Sequence, residues 1–291
     1  MAIKNTNKDA NDVDFPIGRI TLVSKGSKLY DTEKNLVPLF ADFVTKVPIS
    51  THIGIIITPA AFLKFKIPSA ALLDLKVDAI SEAQLQSILD LATEQISQFF
   101  VKVGSHVLKK MVTIADFMSI GIDGNGKAGR FNRVIELVAI YDLKDKKVIH
   151  WTGKFYPVAN QVRNLIRFPR LDSHFISLNG HKVMVLGCHD LNVFHPRGKD
   201  KITDWRRDAF VEFTSLSKKF KPEIVIQHPH ITIDHRTWIN GWKGMEGALL
   251  SVKQYASGIR TKNSDYLFDC YVDDILRLTK KGNVFEYSYK V

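Results

Sequence analysis

Apolar positions along the chain mark out a series of short strands and amphipathic helices. Residues 17–23 read as a first strand, and residues 31–44 place Leu36, Leu39, Phe40 and Phe43 at helical spacing. The isoleucine run at 53–57 predicts a strand covered on both faces and ended by Thr58 and Pro59, so the residues after Pro59 are expected at the mouth of a sheet. Residues 66–80 hold two apolar clusters without a clear period. Ser81 followed by Gln84 has capping-box form and opens a helix through about Phe100, with Leu85, Ile88, Leu89, Leu91 and Ile96 on its apolar side.

Residues 107–114 read as a strand, and the glycines of 121–129 as a turn region. A phosphate-cradling loop is the sharper reading of those glycines, but the Lys-Ser or Lys-Thr ending of a P-loop is missing and a hairpin is favoured. Residues 134–141 and 148–151 form a hairpin around the charged turn 142–147, delivering the chain to Gly153 and Lys154. Residues 183–186 read as a buried strand, 205–220 as a helix carrying Phe210, Phe213 and Leu216, and 223–227 as a strand. A helix is expected over 242–255 (Met245, Leu249, Leu250, Val252), and hairpin-like strands at 266–271 and 284–289. Strands and helices alternate for much of this length, which predicts an α/β fold.

Composition narrows the picture. A chain of 291 residues that is 45% hydrophobic can bury a large core. One domain over residues 14–291 is expected, preceded by a polar, disordered tail over 1–13. Two cysteines without a CxxC pair exclude a disulfide framework and a zinc-ribbon spacing. With no apolar segment at the start and no run near the ~18 apolar residues a membrane helix needs, the expected location is the reducing cytoplasm. The formal charge of +11 favours anionic partners, yet the basic residues come in scattered twos and threes. A solvated basic surface explains them more simply than a nucleic-acid site.

The candidate chemistry centres on Cys188. It follows the strand 183–186 and Gly187, where the backbone can be approached closely, and Asp190 stands just beyond. A free thiol near pKa ~8.5 is only a few per cent thiolate at neutral pH, so a cysteine nucleophile needs a cation or a base beside it. Histidines gather in two places, His189 with His195 and His228 with His230 and His235, close to Asp190, Asn192 and Asp234. Such groups can ligate a divalent metal, but hydrogen-bonded loop histidines are the simpler reading, and no metal or cofactor is expected.

The order of these pieces resembles a known family. A first strand, a strand ending in Pro59, a helix, a hairpin ending in Gly153-Lys154-Phe155-Tyr156-Pro157 and a strand ending in Cys188-His189-Asp190 are similar, from about Phe15 to Tyr289, to the nitrilase superfamily of carbon-nitrogen hydrolases. The resemblance implies a four-layer α-β-β-α sandwich, a homodimer, and a small amide or nitrile-like substrate. It implies Cys188 as nucleophile, Lys154 as oxyanion support, and His189, His228, His230 and Trp238 as walls of the substrate pocket. The family's general-base glutamate should directly follow Pro59, where this chain has Ala60 in the otherwise matching run Pro59-Ala60-Ala61-Phe62-Leu63. Loss of a general base costs about 100- to 10,000-fold in rate, so catalysis by this chain is expected to be impaired. Ala60 then reads either as an inactivating substitution of a glutamate or as a natural loss in a scaffold turned noncatalytic binding module. A metal-dependent phosphoesterase, suggested by His189-Asp190-Leu191-Asn192, ranks below both.

Overall fold

The computed structural model describes residues 13–290 apart from 26–31, 73–74, 76–78, 130, 158–160, 196–204, 231–234 and 264–271. The first half of the chain runs β1 (Ile17–Lys25), α1 (Thr32–Lys46), β2 (Ile53–Ile57), β3 (Leu63–Lys66), α2 (Glu82–Val103), α3 (Ser105–Ile114), β4 (Ala115–Ala128), β5 (Phe131–Asp142) and β6 (Lys147–Gly153). The second half runs β7 (Phe175–Leu178), β8 (His181–Leu186), α4 (Trp205–Phe220), β9 (Ile224–Gln227), α5 (His235–Ala248), β10 (Gln254–Ser257), β11 (Ile259–Asn263), α6 (Val272–Leu278), β12 (Lys280–Lys281) and β13 (Val284–Lys290).

The strands make two sheets, a mixed α/β arrangement. An eight-stranded sheet runs β11-β1-β2-β4-β5-β6, with β13 also on β1 and β3 also on β4; a five-stranded sheet runs β12-β10-β9-β8-β7. Alternation of side chains along each strand distributes them among three apolar clusters. Ile56, Met118, Ile120 and Leu137 share a cluster with Phe40, Phe43, Ile88 and Phe99 of α1 and α2. Ile55, Ile57, Val138 and Ile140 meet Val183, Val185 and Ile226 of the other sheet. Met184, Leu186 and Val225 pack with Phe213 of α4 and Trp242 and Met245 of α5. The larger sheet therefore carries α1 and α2 on one face, and the smaller sheet carries α4 and α5.

Local signals explain most boundaries. Ser81 accepts from Gln84 N, and its own N–H donates to the Gln84 side chain, completing the capping box that starts α2. Three expectations need correction. Residues 107–114 are helical, within α3: Val107, Leu108, Met111 and Ile114 recur at helical spacing, and Met111 and Ile114 are buried. The helix expected at 242–255 starts seven residues earlier, because Trp238, Trp242 and Met245 form its buried stripe while Leu250 lies past its end, 91% exposed.

The third correction concerns the glycines of 121–129, which lie mostly inside β4, with only the tip of its hairpin to β5 near Gly129. A Cβ at Gly121 would meet Pro59 O at 2.5 Å and Ala60 Cα at 2.6 Å, so glycine here lets the chain leaving β2 lie flat on β4. The strand expected at 266–271 falls outside the described residues, as does the tail at 1–12. The strand expected at 284–289 exists as β13, paired in parallel with β1 rather than in a hairpin. Among the described residues no helix is long and apolar enough to cross a membrane.

Candidate active site

Four neighbouring segments build the site. The first is the turn after β8. Cys188 is 4% exposed, and its carbonyl accepts from Gln227 Nε2 at 3.0 Å. Fully buried Asp190 ties this turn to the loop after β6. Its Oδ2 accepts from Gly187 N at 2.8 Å, and its Oδ1 from Tyr156 N at 3.0 Å and Phe155 N at 3.3 Å. Glycine at 187 permits that closeness, since a Cβ there would sit 3.1 Å from Lys154 Cα. Phe155 anchors the same loop by stacking on Phe213, with ring centroids 4.6 Å apart.

Lys154 begins this second segment and is wholly buried. Its N–H donates to Glu136 O at 2.8 Å, continuing the β5–β6 pairing, and its Nζ lies 3.1 Å from Glu136 Oε2 and donates to Gln161 Oε1 at 2.6 Å. Glu136 points into the site from the middle of β5, the third segment, and is 7% exposed.

The fourth segment is the short stretch after β9. His228 is fully buried, its Nε2 2.8 Å from Ser119 Oγ. Its backbone N–H donates to Leu186 O at 3.0 Å, which aligns the stretch with β8. Two residues on, His230 N–H donates to Cys188 Sγ at 3.3 Å. The His230 ring bridges two carboxylates: Nε2 is 2.7 Å from Asp123 Oδ2 of β4, and Nδ1 is 3.5 Å from Glu136 Oε2. One donor atom each from Glu136, Cys188 and His230 fall within 4.8 Å of one another. A divalent ion could bridge such a set, but the Lys154 ammonium already supplies a cation against Glu136.

Charge sets the protonation states. Burial by itself would raise the Cys188 thiol, but the positive charge of His230 and hydrogen bonds from His189 and His230 outweigh it and hold the thiol well below its ordinary value. Burial works against the His230 imidazolium, yet Asp123, Cys188 and Glu136 together lift it well above its usual value. Burial raises the Glu136 carboxyl by more than His230 and Lys154 pull it down. Burial drives His228 to about 3, so it stays a neutral imidazole. The arrangement thus favours a thiolate facing an imidazolium.

The sequence-expected residues do not all come together in the same way. Cys188, His189 and His230 converge, with Lys154 joined to them through Glu136. His189 stacks on Trp238 at 5.7 Å between ring centroids, on the side of the α5 helix. His228 turns away to Ser119. Ala60 is 5% exposed on the turn after β2, and its N–H donates to Pro229 O at 3.2 Å, against the stretch that carries His230. Glu136 and Asp123 join the site without having been expected there. A carboxylate between Ile135 and Leu137 in an apolar strand is the available signal for Glu136. Asp123 is hidden in the sequence among glycines that resemble a turn.

No family model and no curated protein matches the chain. Among solved structures it is similar to a cysteine-to-alanine mutant of an amidase of the nitrilase superfamily from Nesterenkonia AN1, at 11% identity over 87% of this chain and 80% of that one, with a TM-score of 0.42. It is similar at 12% identity to a glutamate-to-glutamine mutant of the amidase from Nesterenkonia sp. AN1 showing Michael addition of acrylamide at its active-site cysteine, over 84% of this chain and 78% of that one, with a TM-score of 0.42. A glutamine-dependent NAD+ synthetase from Acinetobacter baumannii, in complex with ADP, matches at 15% identity over 72% of this chain but 32% of its own length, with a TM-score of 0.35. Likenesses this distant assign no activity to the chain.

Proposed function

We propose that residues 14–291 fold as one four-layer α-β-β-α sandwich and act as a carbon-nitrogen hydrolase on small amides, with Cys188 as nucleophile. The observation that carries this reading is the buried Cys188 thiol, held low at a strand end among His189, His230 and the Lys154–Glu136 pair. A thiolate there would add to an amide carbonyl, and collapse of the adduct would expel the amine and leave a thioester for water to cleave. Lys154 Nζ, held between Glu136 and Gln161, is the cation that would support the developing oxyanion. A donor of that kind contributes roughly 3 to 4 kcal/mol to such a transition state. In this reading His189, which hydrogen-bonds the thiol and stacks on Trp238, would lie against the bound amide.

A noncatalytic binding module is the second reading, and Ala60 favours it, because this residue puts no carboxylate on the turn after β2. Incubation with a panel of small amides and nitriles, followed by intact-protein mass spectrometry, separates the two. The hydrolase reading expects an acyl adduct on the native protein that Cys188→Ala abolishes, with amine released. No adduct and no release across the panel would establish the binding module instead.

A further inference from the structure

Proton transfer is the step for which Ala60 offers no group. Among the described residues, three groups able to carry a proton come near the thiol: Glu136, His189 and His230. Glu136 is engaged by Lys154 at 3.1 Å, and His189 is stacked on Trp238 and within 3.4 Å of Asn192 Nδ2 through its Nδ1. Of the three, His230 is the one oriented by a carboxylate behind it, Asp123 Oδ2 at 2.7 Å from Nε2, which leaves Nδ1 on the Glu136 side, and a ring nitrogen of His230 lies within 4.8 Å of the Cys188 sulfur. Its side chain is 27% exposed, so water can reach the ring.

We propose that His230, oriented by Asp123, is the general base and acid for Cys188, standing in for the carboxylate absent at position 60. The substitution is local: Ala60 N–H bonds Pro229 O, so the emptied position and the new base belong to touching segments. Nδ1 takes the Cys188 proton, giving thiolate and imidazolium. The thiolate adds to the amide carbon, and the carbonyl π pair moves to oxygen. That pair returns as the C–N bond breaks, and the leaving nitrogen takes the proton from Nδ1. Water then gives a proton to Nδ1 as its oxygen adds to the thioester carbon. The C–S bond breaks and the proton returns to sulfur, so one amide and one water become one acid and one amine. Asp123 is a positioning residue: it fixes which ring nitrogen faces the sulfur and favours the imidazolium.

This proposal rests on the hydrolase reading, so its test includes a measurement that needs no turnover. The groups facing His230 are Asp123 from β4, Glu136 from β5, Cys188 and His189 from the turn after β8, and Lys154 beyond Glu136. Iodoacetamide alkylation of Cys188 is followed from pH 5 to 9 in the native protein, His230→Gln and Asp123→Asn, with amide hydrolysis measured alongside. The native labelling rate is expected to change little between pH 6 and 8. In His230→Gln the rate at pH 6 should fall on the order of 100-fold, toward that of an ordinary thiol, and Asp123→Asn should fall between the two. An unchanged profile in both variants overturns the proposal. If His230→Gln does not fold by circular dichroism, the Asp123→Asn profile decides alone. Shifted profiles without amide turnover by the native protein would sink the hydrolase reading and leave the thiolate–imidazolium pair standing. Full hydrolysis by a folded His230→Gln would sink the relay and leave the hydrolase.

Discussion

Lys154 shows how much one residue can hold together. Its ammonium is wholly enclosed and pairs with a carboxylate that is nearly as buried, so removing it leaves Glu136 with the His230 imidazolium alone against Asp123 and Cys188. Breaking a buried pair by deleting one partner costs about 3 to 5 kcal/mol, and Lys154→Met should lose stability of that order in urea unfolding at pH 7. Adding Glu136→Gln should return part of the loss, because the stranded charge is then gone; equal stability of the single and double variants would show the pair is not coupled. The sequence exposes this site unevenly, and the reason is physical. Cys188 and Lys154 stand just past the ends of β8 and β6, where chemistry-bearing residues follow recognisable runs. Glu136 and Asp123 sit inside strands and become functional neighbours only through the pairing of β4 with β5, which sets Asp123 directly opposite Glu136.

Among the elements, β4 and α5 carry the most consequence. The glycines of β4 let the segment 59–67 cross it closely, and Gly121 is the tight point beneath Ala60. Gly121→Ala should push that segment off the sheet, destabilise the protein by about 1 to 3 kcal/mol and slow Cys188 labelling through the shifted Pro229–His230 stretch. Unchanged labelling with lowered stability would uncouple the two segments. On α5, Met245→Ala should cost about 2 to 5 kcal/mol in chemical denaturation, whereas Leu250→Ser, at a residue 91% exposed, should stay within about 0.5 kcal/mol. The period of hydrophobic residues reveals α1, α2, α4, β1, β2 and β5, but not β4, whose glycines read as a turn. α3 is misread because a short apolar run fits both periods, and α5 is shifted because only the partner surface decides that Trp238 is buried and Leu250 is not.

At the scale of the whole molecule, pH offers a readout. His228 is buried neutral at about 3, below the ordinary histidine value of about 6.5. The unfolded chain therefore binds this proton first as pH falls, and the folded form does not. Stability is accordingly intact above about pH 6.5 and falls by about 1.4 kcal/mol per pH unit down to about 3 from this group. The difference in unfolding free energy between the native protein and His228→Asn should shrink with that slope between pH 6 and 4; a constant difference would place the histidine's proton elsewhere. The mixed α/β plan is legible from alternation alone, whereas the long-range pairing of β1 is not, since nothing near Ile17 announces a partner so far along the chain. That pairing reaches into biosynthesis. Buried Arg19 on β1 is neutralised by Glu286 on β13, 267 residues later, which a ribosome adding about 5 to 20 residues per second takes roughly 13 to 55 s to reach. For that interval β1 is outside the exit tunnel with one edge bare and an arginine lacking its counter-ion, an edge open to pairing with a strand of a neighbouring nascent chain.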